Sequence, residues 1–318
     1  MRGDGCFVDS FAYALGSRKC SVEESVAAGR TRTGAADLLA AGFRFHHVCD
    51  DGESAYDLAE AVARGMGGAV DGAGAIVYAT CIPLNANVAD PSRFARSGDV
   101  KDLMDYPASR LQASLGLDGA IVVGLDQQAC TSMLGSVRLA SALLAAEPAM
   151  ERVLCLSADR FPPGAAYEQA YSLISDGAGA CVVSHRPAGY RLLAAHHLTN
   201  GAMVSAGDDE TVGAYFTYTH RLVTELLAKA GLAAGDVDWV VPQNTNLKAW
   251  QILSRLLRIA EERVFCPSLP DVAHVISADN VVNMAYLESS GRVRPGDTVL
   301  LAMAGYGMNW QGLLLEKV

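Results

Sequence analysis

Short apolar runs alternate with longer stretches of helical periodicity along this chain. Ala75–Thr80, Ala120–Leu125, Arg152–Ser157, Gly179–Ser184, Trp239–Pro242, Thr298–Ala304 and Gln311–Glu316 are apolar runs of strand length. Between them, Ala55–Ala63, Ser109–Leu115, Gly135–Ala146, Tyr215–Ala230, Leu247–Arg258 and Asn280–Glu288 carry the spacing of helices. Such alternation predicts a layered α/β protein with largely buried sheets. The run Ala120–Leu125 is apolar on both faces, so it is expected to be buried on both. A second α/β pattern restarts near Arg186-Pro187-Ala188-Gly189. The boundary between two halves, 1–186 and 187–318, is placed there. No Gly/Ser-rich linker separates them, which predicts halves packed as one rigid body.

Composition narrows the class. The chain has 318 residues, 51% hydrophobic, with 31 glycines and only 7% aromatic residues, as expected of a tightly wound α/β enzyme. A net charge of −10 argues against sequence-independent binding to nucleic acid or an anionic membrane. The N-terminal MRGDGCFVDSFAYAL lacks the build of a signal peptide, and no apolar run reaches the ~18 residues of a membrane span. A soluble, cytoplasmic protein is expected. The eight cysteines are scattered, with no CxxC and no ligand-like pairing with histidine. They read as reduced core thiols plus one candidate for chemistry, with no metal site.

That candidate is Cys130, in Gln127-Gln128-Ala129-Cys130-Thr131-Ser132-Met133. It falls in the turn between the apolar run Ala120–Leu125 and the helix expected over Gly135–Ala146. A thiol there faces a helix N-terminus, which favours its thiolate and aims it at whatever fills the space above. Read locally, two roles stay open: nucleophile, or the buried free cysteine common in reduced proteins. The adjacent pairs His46-His47 and His196-His197 point to opposite faces if each lies on a strand, so neither pair is suited to chelating one metal. Asp208-Asp209-Glu210 reads as a solvated loop. The glycine-rich Asp176–Ala180 lacks the GK[ST] ending of a phosphate loop.

Several segments, in order, resemble the thiolase superfamily, and within it the ketoacyl-acyl-carrier-protein synthase III-like enzymes. Ala41-Gly42-Phe43-Arg44-Phe45-His46-His47-Val48 is similar to an early "TGI-x-x-RH" stretch, and Leu115-Gly116-Leu117 leads through a strand to Ala129-Cys130. Ile174-Ser175-Asp176-Gly177-Ala178-Gly179-Ala180 resembles "GDGAGA", and Val241-Pro242-Gln243-Asn244-Thr245-Asn246-Leu247 resembles "PHQAN". Gly291–Asp297 and Ala304-Gly305-Tyr306-Gly307-Met308-Asn309-Trp310 are similar to "GRIKPG" and "GGGFTW". The resemblance spans essentially the whole chain.

It implies a duplicated thiolase fold, five-layered α-β-α-β-α, generally homodimeric. It also implies that Cys130 takes an acyl group from a thioester, with the Cys130 and Gly307 N–H groups as the oxyanion donors. The chain departs from the pattern at the other catalytic positions. Gln243 stands where "PHQAN" has histidine, and His274 falls on or near the position of the family's asparagine. One imidazole beside a cysteine suffices for acyl transfer: it can help deprotonate the thiol and then act as base on an acceptor hydroxyl or amine. Asp271 or Asp279 could orient it, although helix capping near Asn280 is the role expected of them.

Divergent relatives of this family acylate alcohols or amines in secondary-metabolite pathways, and that is the first reading of this chain. Decarboxylative condensation to a 3-oxoacyl product is the second, because Gln243 and His274 still offer two donors to a carbonyl. A silent subunit of a thiolase-fold heterodimer is a third, which the presence of Cys130 disfavours. Members that use coenzyme A clamp its adenine between Trp and Arg before the segment matching Gly42. Residues 34–40 contain neither. An acyl carrier protein is therefore expected as donor ahead of acyl-CoA, with the acyl group on phosphopantetheine and no bound cofactor. Lys248 is a candidate contact for the arm's phosphate, Asn246 lies in the same stretch, and Tyr106 is a candidate for lining the acyl pocket across a dimer interface.

Overall fold

The computed structural model describes residues 5–170, 172–306 and 308–318, apart from the Asp208 side chain. Nine strands form one sheet: β1 (Phe7–Leu15), β2 (Ala75–Ala79), β3 (Ile121–Leu125), β4 (Arg152–Asp159), β5 (Gly177–Ser184), β6 (Tyr190–Thr199), β7 (Trp239–Pro242), β8 (Thr298–Gly305) and β9 (Asn309–Lys317). Their order is β7-β8-β9-β6-β1-β5-β4-β2-β3. The two halves repeat one pattern of pairing. From β1 outward, β5 and β4 join antiparallel and β2 and β3 parallel; from β6 outward, β9 and β8 join antiparallel and β7 parallel. The halves meet where β1 pairs with β6, at Phe7 with Arg191 and Val8 with Tyr190.

Six principal helices cover the sheet: α1 (Ala55–Gly65), α2 (Pro107–Ser114), α3 (Ser132–Ala146), α4 (Asp208–Ala230), α5 (Leu247–Leu257) and α6 (Asp279–Ser289). Helix α1 lies outside the first half of the sheet, with α2 packed beside it, and α4 lies outside the second with α5 against it. Helices α3 and α6 each touch strands of both halves and form the middle layer. The result is the five-layered α-β-α-β-α arrangement, with one apolar core on the middle layer and one beneath each outer layer.

Most expected elements are present within two or three residues of their expected ends, although α4 begins earlier, at Asp208. Two strands of this sheet were missed, β1 and β6, and both are central; the short pairs Arg18–Ser21 with Phe45–Val48 and Glu168–Gln169 with Ser172–Leu173, outside the sheet, were missed as well. The sequences of β1 and β6, FVDSFAYAL and YRLLAAHHLT, mix polar residues into the run because each has a partly exposed face. In the single chain strand β3 is the free edge of the sheet, with Ile121 44% and Val122 38% exposed, so its burial on both faces requires a second chain. One expectation is corrected. The 18 residues Ala129–Ala146 are long and apolar enough to match a membrane span, because α3 is the central helix between two sheet halves.

Two glycine sites decide how closely the layers approach. A Cβ on Gly177 would lie 2.4 Å from Val275 Cγ1, and one on Gly179 would lie 2.9 Å from Ala278 Cβ. The glycines of the "GDGAGA" stretch thus let the segment carrying His274 rest directly on β5. On the opposite wall, a Cβ on Gly305 would lie 3.0 Å from the Cys130 backbone nitrogen.

Candidate active site

Cys130 sits in the single 3₁₀ turn Ala129–Thr131 between β3 and α3. Ala129 precedes it at φ 48°, so the turn is sharper than an alanine ordinarily adopts. The Thr131 N–H and Oγ1 both donate to the Gln128 carbonyl, at 3.1 and 2.7 Å. Gln311 Nε2, from β9 of the other half, donates to Thr131 Oγ1 at 3.2 Å and Gln128 Oε1 at 2.5 Å. The thiol is 4% exposed.

His274 comes from the opposite side and is also 4% exposed. Its flanks hold two positive-φ residues, Ala273 at 53° and Ile276 at 47°, the latter β-branched and therefore strained. Backbone bonds lock the segment to the first half: the His274 N–H donates to Leu173 O at 2.9 Å, and the Ser175 N–H to His274 O at 2.8 Å. His274 Nδ1 donates to Asp279 Oδ2 at 2.5 Å. The same oxygen accepts from the Asn244 N–H at 2.7 Å, and Oδ1 accepts from the Val275 N–H at 2.6 Å. Asp279 is fully buried and makes no N-cap bond to its helix. The capping role expected for it is corrected: this carboxylate orients the imidazole. Asp271 is half exposed and pairs with Lys19 at 3.5 Å.

Gln243, at the end of β7, lies beside His274 with Nε2 3.3 Å from Nε2. Its Oε1 accepts from the Ala304 N–H at 3.1 Å, which turns the amide NH₂ toward the imidazole. Nε2 is thereby the nitrogen left to face the thiol and the substrate. Burial works against charge on His274, but Asp279 and the bond to Cys130 hold its pKa up at about 10. The Cys130 thiol is held well below its ordinary range. A contact from Cys81 contributes most to this; burial opposes it and the His274 bond adds to it. A thiolate–imidazolium pair oriented by a buried carboxylate can chemically supply a nucleophile and a proton donor, and a base once that proton is given up.

Two cavities of about 260 and 740 Å³ meet here, and both are lined by Cys130, His274 and Tyr306. Asn246 and Lys248 border the smaller one, with apolar Val212, Phe216 and Ile252. Asn246 also caps α5, accepting from the Lys248 N–H at 2.8 Å, and the Lys248 side chain is exposed. The larger cavity is more polar, with Arg32, Asp126, Gln127 and Asn309 in its wall. Tyr106 is 53% exposed and lines neither cavity of the single chain. Gly307 lies outside the described residues.

Two histidines of the adjacent pairs are held by structural partners. His46 is bonded at 2.6 Å to both Ser25 Oγ and Ile174 O, and His196 at 2.6 Å to Glu225. Cys81 and Asp159 went unnoticed in the sequence. Cys81 Sγ lies 3.6 Å from Cys130 Sγ, and no local pattern around Thr80-Cys81-Ile82 marks it.

A five-layered sheet duplication with a buried cysteine at the junction of its halves is the thiolase architecture. Family models for 3-oxoacyl-[acyl-carrier-protein] synthase III match residues 126–201, and for its C-terminal part residues 227–317. The chain is 28% identical over 313 residues to the beta-ketoacyl-[acyl-carrier-protein] synthase III of Nitratidesulfovibrio vulgaris, covering 86% of this chain and 88% of that protein. Its fold matches the synthase III of Thermus thermophilus, with a TM-score of 0.81 at 21% identity over 97% and 98% of the two chains. It matches equally ChlB3, described as an acyltransferase, with a TM-score of 0.81 at 21% identity over 98% of each. The chain belongs to the ketoacyl-acyl-carrier-protein synthase III-like proteins of the thiolase superfamily, a family of transferases and condensing enzymes.

Proposed function

We propose that this protein is an acyltransferase. An acyl group passes from a phosphopantetheine thioester to Cys130 and then to a hydroxyl or amine of a small acceptor. The observation that carries this reading is the 2.5 Å bond between His274 Nδ1 and Asp279 Oδ2. Acylating an O–H or N–H requires a base to take its proton, and an imidazole oriented through Nδ1 by a buried carboxylate presents Nε2 for that task. Decarboxylative condensation needs no such base, because loss of CO₂ creates the carbanion; it needs two donors on the thioester carbonyl. The 3.3 Å approach of Gln243 Nε2 to His274 Nε2 keeps that second reading in play.

The thiolate attacks the donor carbonyl, and the pantetheine thiolate leaves with the proton from His274 Nε2. The acceptor then attacks acyl-Cys130 as Nε2 takes its proton. In this reading Lys248, exposed beside the narrow cavity, contacts the phosphate of the arm, and the carrier is an acyl carrier protein in preference to coenzyme A; the exposure of Lys248 at that cavity supports the first point. Gly307 is the second oxyanion donor by its place in the glycine-rich segment. The setting that fits is secondary-metabolite assembly in the cytoplasm.

The test incubates the protein with acyl and malonyl thioesters on a carrier protein and follows acyl-enzyme, product mass and CO₂. Wild type should form an acyl adduct that Cys130→Ala lacks. His274→Ala should slow transfer from acyl-Cys130 by ~10²–10⁴-fold, and Gln243→Ala much less. CO₂ release coupled to a new carbon–carbon bond and dependent on Gln243 would establish condensation instead. Absence of an adduct with every donor would leave a silent subunit.

The working unit is proposed to be a homodimer joined at β3. The two edges of the sheet differ. Edge strand β7 is covered by its own chain, with the Phe265 N–H donating to Val240 O at 2.8 Å. Edge strand β3 presents exposed Ile121 and Val122 to solvent. An open apolar edge is an association surface unless covered. Replacing Val122 with Lys should convert a dimer to a monomer in light scattering; a monomeric wild type would refute the pairing.

A further inference from the structure

Cys130 is one of two thiols in the site. Cys81 follows β2 and borders the larger cavity, 3.6 Å from Cys130 sulfur to sulfur. Its position is tightly held. Asp159, at the end of β4 and 1% exposed, accepts from the Cys81 N–H at 2.9 Å, the Ile82 N–H at 3.0 Å and Thr80 Oγ1 at 2.5 Å. Asn85 Nδ2 and Ser277 Oγ each reach the same carboxylate at 3.3 Å. The Thr80 N–H donates to Leu125 O at 3.0 Å, tying this turn to the end of the strand that leads to Cys130. A buried carboxylate with five donor groups thus fixes the turn that presents Cys81 to the nucleophile.

We propose that Cys81 is a catalytic residue whose S–H donates a hydrogen bond to the Cys130 thiolate, both at rest and when that thiolate leaves the acyl group. The proposal rests on Cys130 as nucleophile and on no particular acceptor. Only one of two touching sulfurs can ionise, and their surroundings decide which. Cys130 faces the His274 imidazole, whereas Cys81 has the Asp159 carboxylate behind it. The Cys81 thiol is pushed far above its ordinary range by its bond to Cys130, by burial and by these charges. It therefore stays a donor.

During acylation a bond forms from Cys130 Sγ to the donor carbonyl carbon, charge moves to the carbonyl oxygen, and the Cys81 bond weakens. During transfer the carbon–sulfur bond breaks, its electron pair returns to Sγ, and the acceptor's proton goes to His274 Nε2. Cys81 keeps its own proton throughout and stabilises the departing thiolate. A lower thiol pKa makes a weaker nucleophile but a better leaving group. Cys81 therefore favours the second half-reaction.

The test measures iodoacetamide labelling of Cys130 against pH by peptide mass spectrometry, followed by single-turnover transfer from preformed acyl-Cys130. A bond to a charged acceptor predicts that Cys81→Ala raises the labelling midpoint by about one pH unit. It should also slow transfer more than acylation. Cys81→Ser, which keeps a donor of similar size, should restore most of the shift. An unchanged midpoint in Cys81→Ala, or a Ser variant indistinguishable from Ala, overturns the role of Cys81 while leaving the nucleophile intact. In wild type, a Cys130 that labels no faster than the other cysteines overturns the nucleophile assignment itself.

Discussion

The turn that carries Cys130 and the turn that carries His274 reach one point from opposite halves of the chain, and they are held by different means. The cysteine turn is stabilised by its own backbone and by neutral amides, Gln128 and Gln311. It contains no charge apart from the one it develops. The histidine turn is built around a buried charge: Asp279 accepts from the His274 ring and from the Val275 and Asn244 backbones, with Ser268, Asn244 and Asn283 linked behind it. The location of the nucleophile is therefore a local property of strand, turn and helix. The charge state of the base depends on three segments meeting away from water.

That contrast breaks first at Asp279. The Asp279→Asn variant keeps an acceptor of the same shape and removes the charge. The His274 pKa should fall from about 10, the thiolate–imidazolium pair should be lost, and transfer from acyl-Cys130 should slow by ~10²–10⁴-fold. Iodoacetamide labelling of Cys130 against pH checks the loss of the pair: its midpoint should rise in the variant, where no imidazolium holds the thiolate. Stability should change in the matching direction. His274 titrates higher in the folded state than its usual value near 6.5, so its ion pair stabilises fully below that pH and the contribution is lost as pH rises through about 10. Urea midpoints of wild type should decline across that window, and those of the variant should decline less.

A smaller effect sharpens the same comparison from the cysteine side. Asp159 also gathers donors, but around the turn that presents Cys81, without touching His274. Asp159→Asn leaves one acceptor oxygen for several donors and should destabilise the fold by about 1–3 kcal/mol. Burial raises the Asp159 pKa to about 6, so charging it costs stability as pH climbs from its unfolded value near 4 through 6. The variant should lack that slope. Equilibrium urea unfolding at pH 4 and pH 7 tests both statements, and an equal slope in the two proteins would refute the second.

Much of the fold was legible along the chain, since the flanking strands and helices are uniformly apolar or cleanly periodic. The central strands β1 and β6 were not, because Asp9, Ser10, His196 and His197 interrupt their apolar runs. Strand β3 is the opposite case: its apolar run is plain, but it lies on an edge open in the single chain, and its burial on both faces requires a second chain. In the site, Cys130, His274 and Gln243 converge as the motif order implied, and Asn246 and Lys248 line the adjoining cavity. Tyr106 does not join them within one chain.

The sequence by itself determined the class of the protein, through motifs that follow one another in order along the whole chain, and it set Cys130 in a tight polar turn between an apolar strand and a helix start, a placement that depends only on neighbours within a few residues. Tertiary structure alone decided which acid serves His274, which amide stands beside it, and that a second thiol touches the first. Gln243 and His274 are 31 residues apart and Cys81 and Cys130 are 49 apart. A carboxylate, an imidazole and two thiols acquire their working protonation only when brought together out of water, where each charge acts strongly on the next. No single segment carries that information, because it is a property of their contact.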